Sequence, residues 1–388
     1  MRILYIHSTV VPPPTDLRLD RFNLLSGQLE GEILQPIWFQ TPAEVEAVFG
    51  PGSYPVYSVG KFRYHWILSS NVRNLRQRLK VFWSYLKLGR RLHRERPIDC
   101  IVAYSHMTTG LLAAAVKLLT GAKLVVEIAT SPELIYITER PNPGFKERLM
   151  KTYSDICLHL SVFFADRMHL LYAGQLSHYP LLRKARNSVF HEYVTVSIID
   201  RPPAGETREV YVLLTGAPWY LKGVDVLIKA FQSLAADFPQ VKLKLLGHFP
   251  DRAQFDPLIA GSPQIEVIKA MLNAPALEII KRAAIVVLPS RCEGMGRVLI
   301  EGMAGGVPLI GSDVGGIPSM IDHGKNGFLI PVGDWQALAV RLRELLSDPA
   351  LRRRMGDCGY DRAHQDLNEQ VYVQKFTAMI QATLHGDP

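Results

Sequence analysis

One segment of the chain carries the pattern best suited to binding a phosphate. Residues 283–288 are apolar throughout, which is typical of a fully buried parallel strand, and Pro289 ends this run. Gly294 and Gly296 follow, and we predict a helix over about residues 297–303. The first N–H groups of a helix lack internal partners and carry the positive end of the helix dipole. This strand–loop–helix order therefore predicts a seat for a phosphate at the helix N-terminus.

Two carboxylates flank the predicted helix start. Glu293 precedes the helix, and Glu301 lies eight residues further along, inside it. An ionised carboxylate accepts hydrogen bonds readily from the hydroxyl groups of a sugar. The alternative is that Glu293 only caps the helix and that Glu301 is solvated. The two acids and the glycines between them together favour a loop that holds both a phosphate and a polyol.

This segment resembles a known signature. Glu293, Gly296 and Glu301 are similar to the E-x-x-G-x-x-x-x-E signature of retaining GT-B glycosyltransferases, a large family that includes bacterial sugar-nucleotide:lipid transferases and glycogen synthases. The resemblance covers most of residues 209–346 and, more weakly, the N-terminal half. It implies an α/β fold of two facing Rossmann-like doubly wound domains. It also implies transfer of a sugar from a nucleotide diphosphate to a hydroxyl group, with the anomeric configuration retained.

A second match follows the predicted strand at 209–215. Relatives commonly show G-R-x-x-x-x-K-G there, and this chain has Lys222 and Gly223 but Ala217 in the arginine position. Lys222 is therefore expected to be the main charge on the leaving diphosphate, and the alternative is an ordinary surface lysine. By resemblance, the catalytic candidates are Lys222, Glu293 and His106. The donor-binding candidates are Gly216, Lys222, Arg291, Glu293, Gly294, Met295, Gly296, Arg297 and Glu301.

The loop after the first predicted strand departs from the family pattern. Relatives often have glycines there, which let the backbone approach the donor diphosphate, whereas this chain has three prolines at 12–14. Arg18 and Arg21 are candidates to replace that contact through side-chain charge. The alternative is that they belong to the start of a surface helix.

Polar residues near the ends of two other predicted strands are candidates for the acceptor side, because open α/β sheets bind ligands at the carboxyl ends of their strands. Relatives often have a histidine where this chain has Ala129. His106 is either a catalytic residue or a loop histidine without a chemical role. Glu127 either contacts the acceptor or makes structural hydrogen bonds. The acceptor-side candidates are Arg18, Glu127 and Thr130.

Length and composition fit two globular domains. The chain has 388 residues, of which 48% are hydrophobic and 21% charged, and these are values of folded proteins. Residues 199–206 are rich in proline and glycine and are predicted to be the linker. We predict an acceptor-binding domain at 1–198 and a nucleotide-sugar-binding domain at 207–366. By resemblance, a helix within 367–388 crosses back to the first domain.

The net charge of +8 is concentrated in one stretch. Residues 61–96 contain eleven Lys and Arg side chains and a single acid, Glu95. Apolar residues recur every three or four positions over 72–94, so we predict a basic amphipathic helix with Trp83 and Tyr85 as interfacial aromatics. Such a helix favours contact with an anionic membrane surface. One alternative is a helix that packs its apolar side on the domain. Nucleic-acid binding is disfavoured because no nucleic-acid motif accompanies the basic run.

The sequence contains no sign of a metal, a cofactor or an exported protein. Its four cysteines are far apart and lack C-x-x-C spacing, which fits a reducing cytoplasm. The N-terminus is predicted to be a strand and not a signal peptide, and no apolar run reaches the roughly 20 residues of a spanning helix. No Asp-x-Asp pair follows a strand, so we expect metal-independent chemistry without a cofactor. The expected location is the cytoplasm, at the inner face of the membrane.

The leading hypothesis is a retaining, hexosyltransferase-type enzyme of cell-surface polysaccharide or glycoconjugate synthesis. Its partners would be a nucleotide-diphosphate sugar and a glycan or lipid-linked acceptor. One alternative is a sugar-nucleotide epimerase of the same fold, and another is a degenerate relative that binds a glycan or a partner without catalysis. Ala217 and Ala129 favour the degenerate protein, whereas Lys222, Glu293 and Glu301 favour the enzyme.

Overall fold

The computed structural model consists of two compact α/β units. It describes residues 1–7, 17, 20–37, 41–49, 51–68, 75–128, 144–202, 209–248, 252–271 and 273–386. Of these, residues 1–128, 152–193 and 372–386 belong to the first unit, and 144–151 and 194–371 belong to the second.

Strands and helices alternate along the chain up to residue 193. The elements are β1 (Arg2–Ile6), α1 (Arg21–Leu25), β2 (Glu30–Ile37), α2 (Pro42–Phe49), β3 (Val56–Val59), β4 (Phe62–Leu68), α3 (Leu75–Glu95), β5 (Cys100–Ala103), α4 (Thr108–Thr120), β6 (Lys123–Ile128), α5 (Phe145–Phe164), β7 (Arg167–Leu170), α6 (Gln175–His178) and β8 (Asn187–Val189). The predicted strand near 188–196 is therefore only three residues long.

The rest of the chain repeats this alternation and ends in three helices. The elements are β9 (Tyr211–Thr215), α7 (Val224–Gln232), β10 (Lys242–Gly247), α8 (Arg252–Ile259), β11 (Ile265–Lys269), α9 (Asn273–Lys281), β12 (Ile285–Leu288), α10 (Arg297–Ala304), β13 (Leu309–Ser312), α11 (Ile317–Met320), β14 (Gly327–Ile330), α12 (Trp335–Ser347), α13 (Pro349–Asp366) and α14 (Glu369–His385). No helix among the described residues combines the length and apolar character needed to cross a membrane.

The sheet of the first unit is covered by helices on both faces. Its strand order is β3-β4-β2-β1-β5-β6-β7-β8, and within the described residues only the β3–β4 pair is antiparallel. Successive side chains of a strand point to opposite faces. In β1, Leu4 and Ile6 pack in the core beneath α3, α4 and α5, whereas Ile3 and Tyr5 pack in the core beneath α1 and α14. This is the predicted doubly wound arrangement.

The second unit has the strand order β11-β10-β9-β12-β13-β14, with every pair parallel. Val287 packs beneath α7 and α12, whereas Val286 faces Gly302 of α10, so this sheet is also covered on both faces. The direction in which strands are added reverses between β9 and β12. Ligands of open α/β sheets bind at such a reversal, outside the carboxyl ends of the strands.

The C-terminal helix α14 packs on the first unit. Tyr372, Phe376 and Ile380 are buried in the same core as Ile3 and Tyr5. Residues 194–198, which the sequence assigned to the first domain, group with the second unit. A physical reason is that the carboxylate of Glu369 accepts hydrogen bonds from the backbone N–H groups of residues 196 and 197.

Candidate functional site

Three loops of the second unit meet at the reversal point of its sheet. They follow β9, β12 and β13. The backbone N–H of Arg291 donates to the carbonyl of Leu221 at 2.8 Å, and that of Gly316 donates to the carbonyl of Gly294 at 2.8 Å. Residues that lie far apart in the sequence are therefore held together where a ligand is expected.

Glycines allow these loops to approach so closely. Gly223 has φ +66°, and a Cβ there would lie 2.0 Å from the carbonyl oxygen of Pro289. Gly315 has φ +58°, and its Cβ would lie 1.9 Å from the carbonyl oxygen of Glu293. No side chain fits at either position without moving backbone, because both contacts are with carbonyl groups. The glycines thus fix the spacing between the three loops.

The helix α10 begins without a capping side chain. Gly296, in the left-handed region at φ 79°, is its N-cap residue and makes no side-chain cap bond. Gly294 and Met295 are buried, and Arg297 is exposed. The carboxylate of Glu293 bonds to two other side chains and not to this helix start, so the alternative in which it only caps the helix is not observed. Uncapped N–H groups at the positive end of a helix suit an anion such as a phosphate.

Lys222 and Glu293 form an ion pair across two of the loops. Lys222 Nζ lies 2.6 Å from Glu293 Oε2, and Ser290 Oγ donates to the same oxygen at 3.2 Å. Glu293 is 7% exposed. The backbone of Gly216 lies against the stem of Lys222, where a Cβ would be 3.1 Å from Cε. A cation and an acid are thus held side by side next to the start of α10.

Glu301 is a partly buried acid in the second turn of α10. Burial raises its pKa, and Arg297, one turn earlier, opposes that rise. Among the described residues, no side chain donates a hydrogen bond to this carboxylate. Its oxygens are therefore available to accept from ligand hydroxyl groups.

Arg291 is engaged within the protein. Its guanidinium makes two hydrogen bonds to the carboxylate of Asp225, at 2.7 and 2.6 Å, and one to the carbonyl of Tyr220 at 2.6 Å. The guanidinium carbon also lies 3.9 Å from the centre of the Tyr220 ring. These contacts anchor the loop that carries Lys222. Direct binding of the donor by Arg291 stays a prediction.

Glu127 lies in a buried network of the first unit that sequence reasoning did not find. One carboxylate oxygen accepts from the hydroxyl of Tyr5, and the other lies 2.9 Å from His169 Nδ1. Arg21 donates to the hydroxyls of Tyr5 and Tyr372. Burial alone would raise the pKa of Glu127, but His169, Arg21 and Tyr5 outweigh it and hold that pKa below its usual value.

This geometry corresponds to the structural alternative for Glu127. Arg21 is the first residue of α1, and its side chain is buried in the same network. The signal in the sequence was a charged residue inside an otherwise apolar strand. A contact between Glu127 and the acceptor stays a prediction, and Arg18 and Thr130 lie outside the described residues.

His106 is fully buried beside α5. Its Nε2 lies 3.0 Å from Ser154 Oγ, and among the described residues its Nδ1 has no hydrogen-bond partner. Burial lowers the pKa of His106 to about 4. The ring is therefore neutral at pH 7, and its catalytic role stays a prediction.

The lowered pKa of His106 predicts a loss of stability in mild acid. The unfolded chain binds a proton near the ordinary histidine pKa of about 6.5, whereas the folded chain does so only near about 4. Stability therefore falls as the pH drops through this window, by about 2 kcal/mol between pH 7 and pH 5. Urea unfolding at both pH values measures the loss. We expect His106→Leu to remove that part of the pH dependence and His159→Leu, at an exposed position, to leave it. Equal pH dependence in wild type and His106→Leu would contradict the assignment.

The basic helix α3 packs one side on the sheet and exposes the other. Tyr85, Leu86 and Leu92 are buried in the core of the first unit. The assignment of Tyr85 as an interfacial aromatic was therefore wrong, because its position on the helix turns it toward the sheet. Trp83 is 57% exposed. One side of α3 thus packs on the domain, as one alternative predicted, and the opposite side is exposed.

The fold defines a protein of the GT-B class, built from two parallel-sheet α/β units. Residues 198–362 match the family described as Glycosyl transferases group 1. This part of the chain is therefore a glycosyltransferase group 1 domain.

Curated relatives match less than half of the chain. It is 30% identical over 168 residues to the N-acetyl-alpha-D-glucosaminyl L-malate synthase of Bacillus anthracis, covering 43% of this chain and 44% of that protein. It is 26% identical over 162 residues to the capsular polysaccharide biosynthesis glycosyltransferase CapM of Staphylococcus aureus, covering 41% and 42%. The matches thus span less than half the length of these relatives.

Solved structures match the whole fold. The sucrose-phosphate synthase of Thermosynechococcus elongatus superposes with a TM-score of 0.78 at 16% identity, covering 100% of both chains. Anabaena Alr3699/HepE, solved in complex with UDP-glucose, superposes with a TM-score of 0.71 at 17% identity, covering 99% of this chain and 100% of that one. The GT-B fold predicted from the sequence is confirmed.

Proposed function

We propose that this protein is a retaining, metal-independent glycosyltransferase of the hexosyl type. It moves a sugar from a nucleotide diphosphate to a hydroxyl group of a glycan or a lipid-linked acceptor, in the synthesis of a cell-surface polysaccharide or glycoconjugate. The observation that carries the proposal is the Lys222–Glu293 pair at the start of α10, 2.6 Å apart at the reversal point of the sheet.

The proposed reaction exchanges one bond at the anomeric carbon for another. The bond from this carbon to the phosphate oxygen breaks and leaves its electron pair on the diphosphate. A bond from the acceptor oxygen forms on the same face of the sugar, and the released diphosphate takes up the acceptor proton. Negative charge therefore grows on the diphosphate in the transition state. Positive charge and N–H donors that are already in place stabilise it.

The residues of this chain have distinct parts in that step. Lys222 and the N–H groups at the start of α10 bind the diphosphate and offset its growing charge. Glu293 accepts from hydroxyls of the donor sugar and orients Lys222. Glu301 accepts from the ribose hydroxyls. Lys222 and the helix start supply the positive charge at the diphosphate, so the proposal needs no metal ion.

The comparisons support the class of donor and product. The relatives named above make glycosidic products, one of them in capsular polysaccharide biosynthesis, and one structural neighbour was solved with UDP-glucose. The geometry of the site favours a ligand that combines a diphosphate with hydroxyl groups. We accordingly place the protein among enzymes that use nucleotide-diphosphate sugars.

A panel of nucleotide sugars tests the proposal. We expect one nucleotide diphosphate to raise the melting temperature of the protein. The sugar of the corresponding nucleotide sugar should be transferred to a glycan or lipid acceptor in excess chelator. NMR of the product should show the anomeric configuration of the donor. Loss of all activity in chelator would refute metal independence, and an inverted product would refute retention. Conversion of the donor without an acceptor would favour the epimerase, and no stabilisation by any nucleotide diphosphate would favour the degenerate protein.

Glu301→Ala should weaken binding of the nucleotide through its ribose. Loss of a charged hydrogen-bond acceptor costs about 1.5–3 kcal/mol, or about 10- to 100-fold in Kd. Calorimetry with the ribonucleotide and its 2′- and 3′-deoxy analogues measures this. The deoxy analogue that lacks the contact should bind wild type and variant equally.

Because the pKa of Glu301 is raised, this side chain loses its charge earlier than an ordinary glutamate as the pH falls. The affinity of the wild-type protein for the ribonucleotide should therefore fall as the pH is lowered, and calorimetry at several pH values measures this.

The control for this experiment is Glu278→Ala, which removes an exposed acid ion-paired with Lys281. It should leave the affinity unchanged. An unchanged Kd for Glu301→Ala with the ribonucleotide would contradict the assigned role.

We further propose that the protein works in the cytoplasm at an anionic membrane surface, through residues 61–96. Leu79 and Trp83 are exposed on α3 beside basic side chains. On α5, which packs on the same sheet face, Tyr153, Ile156, Leu160 and Phe163 recur at helical spacing and are also exposed. Exposed apolar side chains beside cations, as on α3, suit an anionic bilayer. None of the four cysteines forms a disulfide, which fits a reducing compartment.

Vesicle flotation tests the membrane proposal. We expect binding to phosphatidylcholine vesicles only when they contain phosphatidylglycerol, and loss of binding as salt is raised, because salt screens the cations of α3. Leu79→Ser/Trp83→Ser should weaken binding at least about tenfold, since each of these exposed side chains of α3 gives up apolar burial. Val340→Ser, at an exposed position of the second unit, is the control. Equal binding to neutral vesicles, or no effect of the double variant, would overturn the proposal.

A further inference from the structure

A cleft of about 510 Å³ lies in the first unit, between α3 and the β3–β4 hairpin. It belongs wholly to that unit and shares no residue with the donor loops. Two kinds of surface line it, one cationic and one apolar, and its cations belong to the basic stretch that we proposed above to contact the membrane.

The cationic side is a single row on α3. Lys80, Ser84, Lys87 and Arg91 line the cleft and follow one another at steps of four, three and four, so they share one side of the helix. Arg91 lies 3.5 Å from Glu95 in an exposed ion pair, which contributes little. Among the described residues, neither lysine has an ion-pair partner. Three cations in one row repel each other, and an anion between them would relieve that repulsion.

The opposite side is apolar and firmly built. Trp66 and Ile67 of β4 line the cleft, but the Trp66 ring packs in the core of the other sheet face, because successive side chains of a strand point to opposite faces. The apolar side chains of the cleft are therefore Ile67, which is almost completely buried, and Val81 and Leu88 of α3. A small hydrophilic anion would leave these apolar side chains in contact with water. A neutral apolar molecule would leave the cations without a counter-charge.

We propose that the cleft binds the phosphate of an amphiphile, with the phosphate on the row of Lys80, Lys87 and Arg91 and the first part of the alkyl chain along Ile67 and Leu88. Such a group occurs on a bilayer phospholipid and on a lipid that carries a glycan. This inference goes beyond the proposed reaction, because binding in the cleft requires neither donor nor transfer.

Calorimetry with decyl phosphate, below its micelle concentration, tests the proposal on the full chain. We expect saturable binding at one site. Inorganic phosphate and decyl maltoside, which carry only the anion or only the chain, should give no binding at the same concentrations. Lys80→Ala/Lys87→Ala should weaken the binding of decyl phosphate at least about tenfold, since two charge-assisted contacts to the phosphate are lost. Arg90→Ala/Arg94→Ala removes two exposed cations of the same helix that do not line the cleft, and should bind as wild type does.

A second variant fills the cleft without changing its charge. Ser84→Phe adds a ring at an exposed position on the cleft side and keeps every cation, so it should block binding while near-ultraviolet circular dichroism stays unchanged. Equal binding by Lys80→Ala/Lys87→Ala, or by Ser84→Phe, would overturn the proposal. So would equal binding of inorganic phosphate or of decyl maltoside.

Two further ligands distinguish the sources of the amphiphile. Dihexanoylphosphatidylglycerol represents a bilayer lipid, and geranyl diphosphate represents a lipid carrier. Tighter binding of the first supports a membrane headgroup site, tighter binding of the second supports a carrier site, and binding of neither would overturn the proposal. Donor binding to the second unit is measured separately. An absence of binding in the cleft would therefore not affect the proposed reaction, and an absence of donor binding would not affect the proposal for the cleft.

Discussion

Lys222→Ala is expected to lower the rate of sugar transfer by about 10²–10³-fold, the cost of removing one preorganised donor from a developing negative charge. The loss should be large because Ala217 occupies the position of the second cation in relatives and Arg291 is committed to Asp225. The effect should fall on kcat more than on KM, since the charge on the diphosphate is greatest in the transition state. Steady-state kinetics with the donor found in the panel measure both constants.

The control for this variant is Lys325→Ala, which removes an exposed lysine of the same unit. It should leave both constants unchanged. Both proteins should give the near-ultraviolet circular dichroism of wild type, because the Lys222 side chain is partly exposed and lies outside the core. Near-normal kcat in folded Lys222→Ala would remove the proposed role of this residue.

Glu293→Gln is expected to cause a loss of similar size for a different reason. The carboxylate holds Lys222 at 2.6 Å and is almost buried, so the amide removes the charge that orients the lysine and weakens the bond to the sugar hydroxyl. Because Lys222 and Glu293 act as one pair, the double variant Lys222→Ala/Glu293→Gln should lose much less than the product of the two single losses.

A double-mutant cycle on kcat/KM measures this coupling. Glu344→Gln, on α12 and ion-paired with Arg341, is the matched control and should behave as wild type. Independent, multiplicative losses from Lys222 and Glu293 would contradict the view that they work as a pair. Wild-type activity of Glu293→Gln would contradict any role for its charge.

The elements of the second unit could be predicted closely because its strands are short, buried and separated by glycines. The helix predicted over 297–303 is α10, and the strand predicted at 283–288 contains β12. Lys222 and Glu293 lie 71 positions apart, yet their proximity follows from one physical rule. Loops at the carboxyl ends of neighbouring parallel strands meet at the same edge of the sheet.

The contacts between individual residues of the site could not be predicted. Nothing in the sequence specified that Arg291 pairs with Asp225 or that Gly315 touches the backbone of Glu293, because both depend on loop geometry. The family signature therefore identified candidate residues but not the contacts among them.

The first unit was harder to interpret for a different reason. Glu127 and His169 lie on strands, and a polar residue there can face either a ligand or a buried partner. Only the packing of Tyr5 and Arg21 around Glu127 distinguishes the two. On α3, the difference between an exposed Trp83 and a buried Tyr85 is about 200° of helix rotation, which a periodic pattern describes only coarsely.

The degenerate alternative makes a different prediction for the same site. A protein that had lost catalysis would have no reason to keep Lys222 and Glu293 in contact at the start of α10, with Glu301 in the second turn of the helix. The missing cation at Ala217 lowers the positive charge available, and the variants above measure whether Lys222 suffices.

The most direct measurement is a structure of the full chain in complex with a nucleotide diphosphate that raises its melting temperature. We predict diphosphate oxygens within about 2.7–3.2 Å of the N–H groups at the start of α10 and of Lys222 Nζ. The ribose hydroxyls should lie at the same distance from Glu301. A nucleotide bound elsewhere, or a diphosphate that leaves both Lys222 and the start of α10 without contact, would contradict the central claim.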